Sequence, residues 1–227
     1  MGQGGKMLEE ELARYLAHRL PSARQVTVSN VFRIPGGASR ETWSFDARWW
    51  EGDREVSQGF ILRRDPPASL LTTERDIEFQ VMNAAHLAGI PVPRMRWLEP
   101  EGKWLQRPFF IMERIDGCET SPQLLISDPR FEGARPRVAR RFVEVLAAIH
   151  SLDWKALGLE SFLGPAPSPD QCALQEIEKW GQVIDRDALE PQPVLRAALC
   201  WLRRHLPPPA QRITLVHADY RVGNFLY

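Results

Sequence analysis

Between residues 25 and 65 three strand-like runs follow one another, QVTVSNVFRI, TWSFDARWW and REVSQGFILRR, parted only by the turn segments PGGASRE and EGD. Each run is rich in β-branched and aromatic residues, and each connection is too short to hold a crossover helix. Strands joined this tightly must pair antiparallel, so this part of the chain is committed to a three-strand meander. Ahead of it, Leu8, Leu12, Leu16 and Leu20 recur every four residues and Pro21 follows, which predicts a helix over about 7–20. Behind it, SLLTTERDIEFQVMNAAHLAG reads as a helix with Ile77, Val81, Ala84 and Ala85 on one face, closed by Gly89. MRWLEPEGKWLQRPFFIMERI then reads as a hairpin around Pro100-Glu101-Gly102.

Beyond Gly117 the periodicity changes from two to about 3.6. Val138, Phe142, Val145, Leu146 and Ile149 mark one helix, and CALQEIEKWGQVI and VLRAALCWLRRHL mark two more. The fold class expected is therefore α+β, in two lobes. Residues 1–117 would carry a five-stranded antiparallel sheet with one inserted helix, and residues 118–227 would be mainly helical. The chain closes on LVHADYRVGNFLY, where LVH reads as buried strand running into a tight polar loop.

Composition narrows the partners. Lys plus Arg equals Asp plus Glu at 29 each, so no field favours nucleic acid or an anionic membrane. No apolar run reaches the ~18 residues of a membrane span, and the start lacks a signal-peptide core. Three cysteines, Cys118, Cys172 and Cys200, are odd in number and widely spaced, which suits reduced thiols in a cytoplasmic protein.

The closing loop carries the chemistry. In HADYRVGN, Asp219 precedes Asn224 by five positions. A carboxylate there can take a proton from a hydroxyl, and an amide five residues on can reach a metal held on the same phosphate, the spacing of the kinase catalytic loop. An isolated His-x-Asp also serves to orient a buried loop through hydrogen bonds. Phosphoryl transfer further needs a strand cation reaching the phosphates, held by a helix acid. Strand alternation in FILRRDPP puts Ile61 and Arg63 on one face and Leu62 and Arg64 on the other. Arg63 would take the cation's role with Ile61 against the base, and Glu78 in the next helix would hold Arg63. A surface charge pair is the plain reading of the same two residues.

Together these pieces resemble the aminoglycoside phosphotransferase and choline kinase group, the small-molecule branch of the protein-kinase-like fold, and within it the branch related to kinase domains fused to acyl-CoA dehydrogenases. The segments that carry the resemblance are GGASRETWSF, ILRRDPP, IEFQVMNAAHLAGIPVPRM, FFIMERIDG, FVEVLAAIHSLDWKALGLESF and LVHADYRVGNFLY. It implies ATP and Mg2+ as cofactors and a small-molecule hydroxyl as acceptor, with neither nucleic acid nor membrane as partner. It implies Asp219 as catalytic base, Asn224 as a metal ligand and His217 as the positioner of the loop. The nucleotide would meet Gly36, Gly37 and Ser39 in the first turn, and the backbone of Glu113 and Ile115 at the link between lobes. The branch points weakly to an acyl or acyl-CoA-like acceptor.

Two features depart from the family. Ala218 replaces the usual Gly of His-Gly-Asp, and Arg63 replaces the Lys of many kinases. The second metal-binding Asp, expected some fifteen to twenty residues past the loop, is absent from the sequence, so a C-terminally truncated fragment, inactive by itself, is the expectation. The alternative is an inactive nucleotide-binding or pseudokinase-like scaffold. A protein kinase is a third reading, with neither DFG nor APE in the sequence. A metal hydrolase would need a second His/Asp/Glu cluster that the sequence does not offer.

Overall fold

The leading helix α1 (Gln3–Arg19) buries Leu8, Leu12, Tyr15 and Leu16 at 3% exposure or less. These positions form a single stripe at i, i+4, i+7 and i+8. The computed structural model describes residues 3–35, 41–65 and 73–227. The α1 stripe packs on one sheet face, against Phe45, Ala47 and Trp49 of β2 (Glu41–Glu51) and Phe60 and Leu62 of β3 (Arg54–Arg64). Burying a Leu side chain this fully stabilises by about 2 kcal/mol. Leu16→Ala would cost roughly 2–5 kcal/mol once the cavity it leaves is included.

The sheet is five-stranded and wholly antiparallel, as the α+β reading expected. β1 (Ala23–Ile34) pairs with β2, and β2 pairs with β3 without interruption from Glu41↔Arg64 to Glu51↔Arg54. After β3 comes the inserted helix α2 (Thr73–Leu87), then β4 (Met95–Glu99) and β5 (Phe109–Glu113). The order across the sheet is β1-β2-β3-β5-β4, because the hairpin folds back and lays β5 between β3 and β4. β5 is therefore interior, and Phe109, Phe110 and Ile111 are all fully buried, the continuous apolar run expected of a strand covered on both faces.

β1 does not keep strict alternation. Its pairing to β2 shifts register between Arg24 and Thr27 and again between Ser29 and Phe32. Gln25 and Asn30, one in each interruption, adopt left-handed φ of 53°. The second bulge aims Asn30 Nδ2 at Asp46 Oδ2, 2.7 Å away, and leaves Phe32 55% exposed.

Past β5 come α3 (Pro122–Ser127), a 3-10 turn (Pro129–Ala134) and α4 (Arg135–His150). By packing, Met1–Ile149 and His217–Tyr227 form one unit, and His150–Val216 a second. The second unit holds α5 (Glu160–Leu163), α6 (Cys172–Asp187) and α7 (Pro193–Arg204). There Gly181 of α6 lies against Leu199 of α7, and a forked pair runs from Arg203 Nε and Nη2 to Glu178 at 2.8 and 3.1 Å.

The LVH segment departs from its expected form: residues 212–217 belong to no strand, and Val216 is 66% exposed. Among the described residues, the tail makes its ladder-like contact at its far end. Tyr227 and Glu119 exchange two backbone hydrogen bonds, at 2.9 and 3.0 Å.

Candidate active site

Register decides which side chains share a face, because cross-strand partners point the same way. One row across the sheet is Ile34–Thr42–Arg63–Phe110, and the next is Phe32–Ser44–Ile61–Met112. Ile61 and Arg63 thus stand on the face opposite Leu62, as alternation predicts. α2 docks on their side, with Phe79 edge-on to Phe110 at 6.0 Å between centroids. Arg63 Nη1 forms an ion pair with Glu78 Oε1, both side chains about a quarter exposed, and its Cζ lies 5.9 Å from the Phe110 ring. The strand cation and the helix acid read from the sequence are brought together.

Arg64 belongs to a different assembly. Its Nη2 and Nε donate to Glu41 Oε2 at 2.8 and 3.1 Å, and Arg107 Nη2 donates to the same oxygen at 3.1 Å. Burial pushes the Glu41 carboxyl up, but the hydrogen bonds from Arg64 and Arg107 outweigh it and hold the group below the ordinary glutamate range.

The Ile61 row opens into a cavity of about 560 Å³ lined by Asn30, Val31, Phe32, Ser44, Asp46, Arg114 and Asp116. None of these was singled out from the sequence. Arg114 organises it, with Nη2 2.7 Å from Asp46 Oδ1, Nε 2.6 Å from Asp116 Oδ1 and Nη1 3.0 Å from Ser44 Oγ. Hydrogen bonds from Asn30 and Arg114 prevail over burial and keep Asp46 below the usual aspartate range. The guanidinium fills the space over Gly59, where a Cβ would stand 2.5 Å from Arg114 Cζ. With no Cβ at Gly59 the guanidinium can approach the strand this closely.

At the link after β5, Glu113 N–H donates to Arg94 O at 2.9 Å, so a ligand edge could use only the Glu113 carbonyl. Ile115 is 41% exposed, and its carbonyl accepts from Cys118 Sγ at 3.0 Å. Gly36, Gly37 and Ser39 lie outside the described residues.

The closing loop is held by α4. Tyr220 Oη donates to Phe142 O at 2.7 Å, and the Phe142 ring contacts those of Tyr220 and Phe225 at 4.3 and 5.2 Å. Asn224, in a 3-10 turn (Val222–Asn224), donates its Nδ2 to Asp219 Oδ2 at 2.8 Å and to Asp219 O at 2.9 Å. The five-residue spacing therefore closes a ring between the two residues. With its nitrogen engaged, the amide could meet a metal only through its oxygen. Arg221 Nε sits 3.2 Å from Asp219 Oδ1, and the Asp219 side chain is 66% exposed, open to an incoming hydroxyl. His217 Nδ1 accepts from the Asp219 N–H at 3.4 Å, and its ring meets Tyr220 edge-on. Ala218 between them has φ of 68°. Among the described residues no three His, Cys, Asp or Glu side chains gather to hold a metal, and in this loop a cation would meet the Asn224 amide oxygen. That fits Mg2+, which keeps several waters and takes phosphate oxygens with one or two protein ligands.

Comparison with known proteins gives the chain a family. Residues 32–227 match the model of the phosphotransferase enzyme family, APH. Acyl-CoA dehydrogenase family member 10 of Mus musculus is 29% identical over 180 residues, which cover 77% of this chain and 16% of that protein. Member 11 of Rattus norvegicus is 29% identical over 224 residues, 95% of this chain and 26% of that one. The chain thus spans less than a third of the length of these curated relatives. Among solved structures, a candidate aminoglycoside phosphotransferase of Ralstonia eutropha superposes with a TM-score of 0.67 at 24% identity, covering 96% of this chain and 60% of that one. Plasmodium vivax ethanolamine kinase gives 0.53 at 13% identity, with 86% and 52% covered. These two likenesses concern the fold. On the family match, which covers most of its length, the chain belongs to the phosphotransferase enzyme family.

Proposed function

We propose that the protein of which these residues form part is an ATP- and Mg2+-dependent phosphotransferase acting on a hydroxyl of a small molecule. The observation that carries this is the Arg63–Glu78 pair, set between β3 and α2 on the same sheet face as Ile61. Arg63 grips the α and β phosphates with a permanently charged fork, where Lys would offer a point charge. Ile61 covers the base, the link backbone at Glu113 and Ile115 meets its edge, and the Gly36-Gly37-Ser39 turn passes over the phosphates. Asp219 orients the acceptor hydroxyl and takes its proton on a carboxylate oxygen. Asn224 ligates the metal through its amide oxygen while its nitrogen keeps Asp219 in place, and His217 positions the loop. Mg2+, when bound, neutralises charge on the phosphates. Catalysis in this reading is mostly positioning.

Residues 1–117 act as the nucleotide lobe, and 118–227 supply part of the acceptor side in a cytoplasmic enzyme. An inactive nucleotide-binding scaffold is the second reading. ADP release measured over a panel of small alcohols, acyl-CoA hydroxyls included, separates the two. The full-length protein should show acceptor-dependent turnover. ATP binding without turnover on any alcohol would favour the scaffold, and no binding at all would overturn the proposal.

A further inference from the structure

Beside the Arg63–Glu78 pair lies a second one that the mechanism above does not use. Arg75, in the first turns of α2, is 1% exposed, the largest side chain buried this completely. Its Nη2 and Nε donate to Asp65 Oδ2 at 2.5 and 3.1 Å, and Asp65 itself is 4% exposed. Asp65 is fixed in turn, donating its N–H to Pro108 O at 3.1 Å and accepting from Arg107 Nη1 on its own carbonyl at 2.9 Å. A buried pair of charges gives little net stability over an apolar pair, so stability alone is a poor reason for its presence.

Its order along the chain suggests another. Along β3 and the residue just past its end, the charges are plus at 63 and minus at 65; along α2 they are plus at 75 and minus at 78. Two residues along a strand return to the same face ~6.6 Å on, and three residues along a helix rise ~4.5 Å on one face, a mismatch that two Arg side chains can span. Paired as they are, strand forward against helix backward, both contacts are attractive. A one-turn slip in one direction sets Arg75 against Arg63, and in the other sets Glu78 against Asp65. Either slip opposes like charges.

We propose that Asp65 and Arg75 are positioning residues: with Arg63 and Glu78 they form a charge-alternating ladder that fixes the register of α2 on β3 and so delivers Glu78 to Arg63. The register half stands on geometry alone. Its consequence for nucleotide use rests on the phosphotransferase reading.

The test uses the full chain and the double variant Asp65→Leu/Arg75→Met, an apolar pair of similar volume of the kind that buried ion pairs commonly tolerate. Solvent exchange of the Arg63 guanidinium protons, followed by NMR without nucleotide, should become ~10-fold faster or more as the pair opens. In the full-length enzyme the KM for ATP should rise ~5-fold while kcat changes less. Arg75→Lys, which keeps the charge but loses the forked contact to Asp65, should leave Arg63 exchange between wild type and the double variant. A folded double variant with unchanged Arg63 exchange would overturn the ladder, as would Arg75→Lys exchanging as fast as the double variant. Should the wild-type protein turn over no ATP, the exchange experiment still decides the ladder, and only the phosphotransferase reading falls.

Discussion

Ala218 stands at φ of 68°, a left-handed conformation in which a Cβ crowds the following carbonyl. The sequence marks this position as one where the family carries Gly, and the structure supplies the reason: the backbone must turn sharply between His217 and Asp219. Ala218→Gly should relieve about 1 kcal/mol of strain, less part of that in glycine's extra chain entropy. Thermal unfolding should therefore shift upward or stay level, and a drop of several degrees would contradict the strain. The two arginines of β3 separate on the same scale. Arg63→Ala should raise the KM for ATP by ~10-fold or more in the full-length enzyme, because it removes a phosphate contact. Arg64→Ala strips Glu41 of its forked partner and should lower the melting temperature while leaving KM within ~2-fold. A larger KM effect at Arg64 would place the nucleotide on the other sheet face. Arg63 and Glu78 were legible in the sequence because strand alternation and helix position are local rules. Arg114, Asp46 and Ser44 were not, because their meeting depends on β5 folding back beside β3, which alternation cannot show.

Elements were legible to the extent that their signals are local. The meander, α2 and the three long helices past residue 134 follow from periodicity and turn residues. α3 and the 3-10 turn after it were missed, although each begins with a readable cap. Ser121 Oγ accepts from Leu124 N at 3.3 Å ahead of Pro122, and Asp128 Oδ1 accepts from Arg130 N at 2.9 Å ahead of Pro129. At six residues each, they lack the apolar repeat that draws attention. The LVH run misled in the opposite sense, since apolar content alone does not provide a pairing partner. The start of β2 carries a pH dependence. Glu41 is held below its usual range in the folded state, so its contribution to stability is present above the ordinary glutamate pKa and is lost as pH falls through the lower folded value. Acid titration of unfolding should show this limb, and Glu41→Gln should flatten it while lowering stability near neutral pH. An unchanged acid limb in Glu41→Gln would show that the Arg64–Glu41–Arg107 assembly does not couple to folding.

At the scale of the whole molecule, the family was readable because its motifs occur in order along nearly the entire chain, although each is weak alone. The acceptor was not readable, since no side chain here is tied to one substrate class. No helix among the described residues is long and apolar enough to cross a membrane. In the proposed mechanism Asp219 serves the acceptor while Arg63 and Glu78 serve the nucleotide, and the two roles are separable. This separation is tested most directly by Asp219→Asn in the full-length protein, with ATP–Mg2+ affinity measured by calorimetry and phosphoryl transfer measured on the same sample. The account predicts affinity within ~3-fold of wild type and transfer reduced by at least ~10²-fold, the loss expected of a general base that also orients its substrate. Transfer at near wild-type rate, or affinity lost together with turnover, would contradict it.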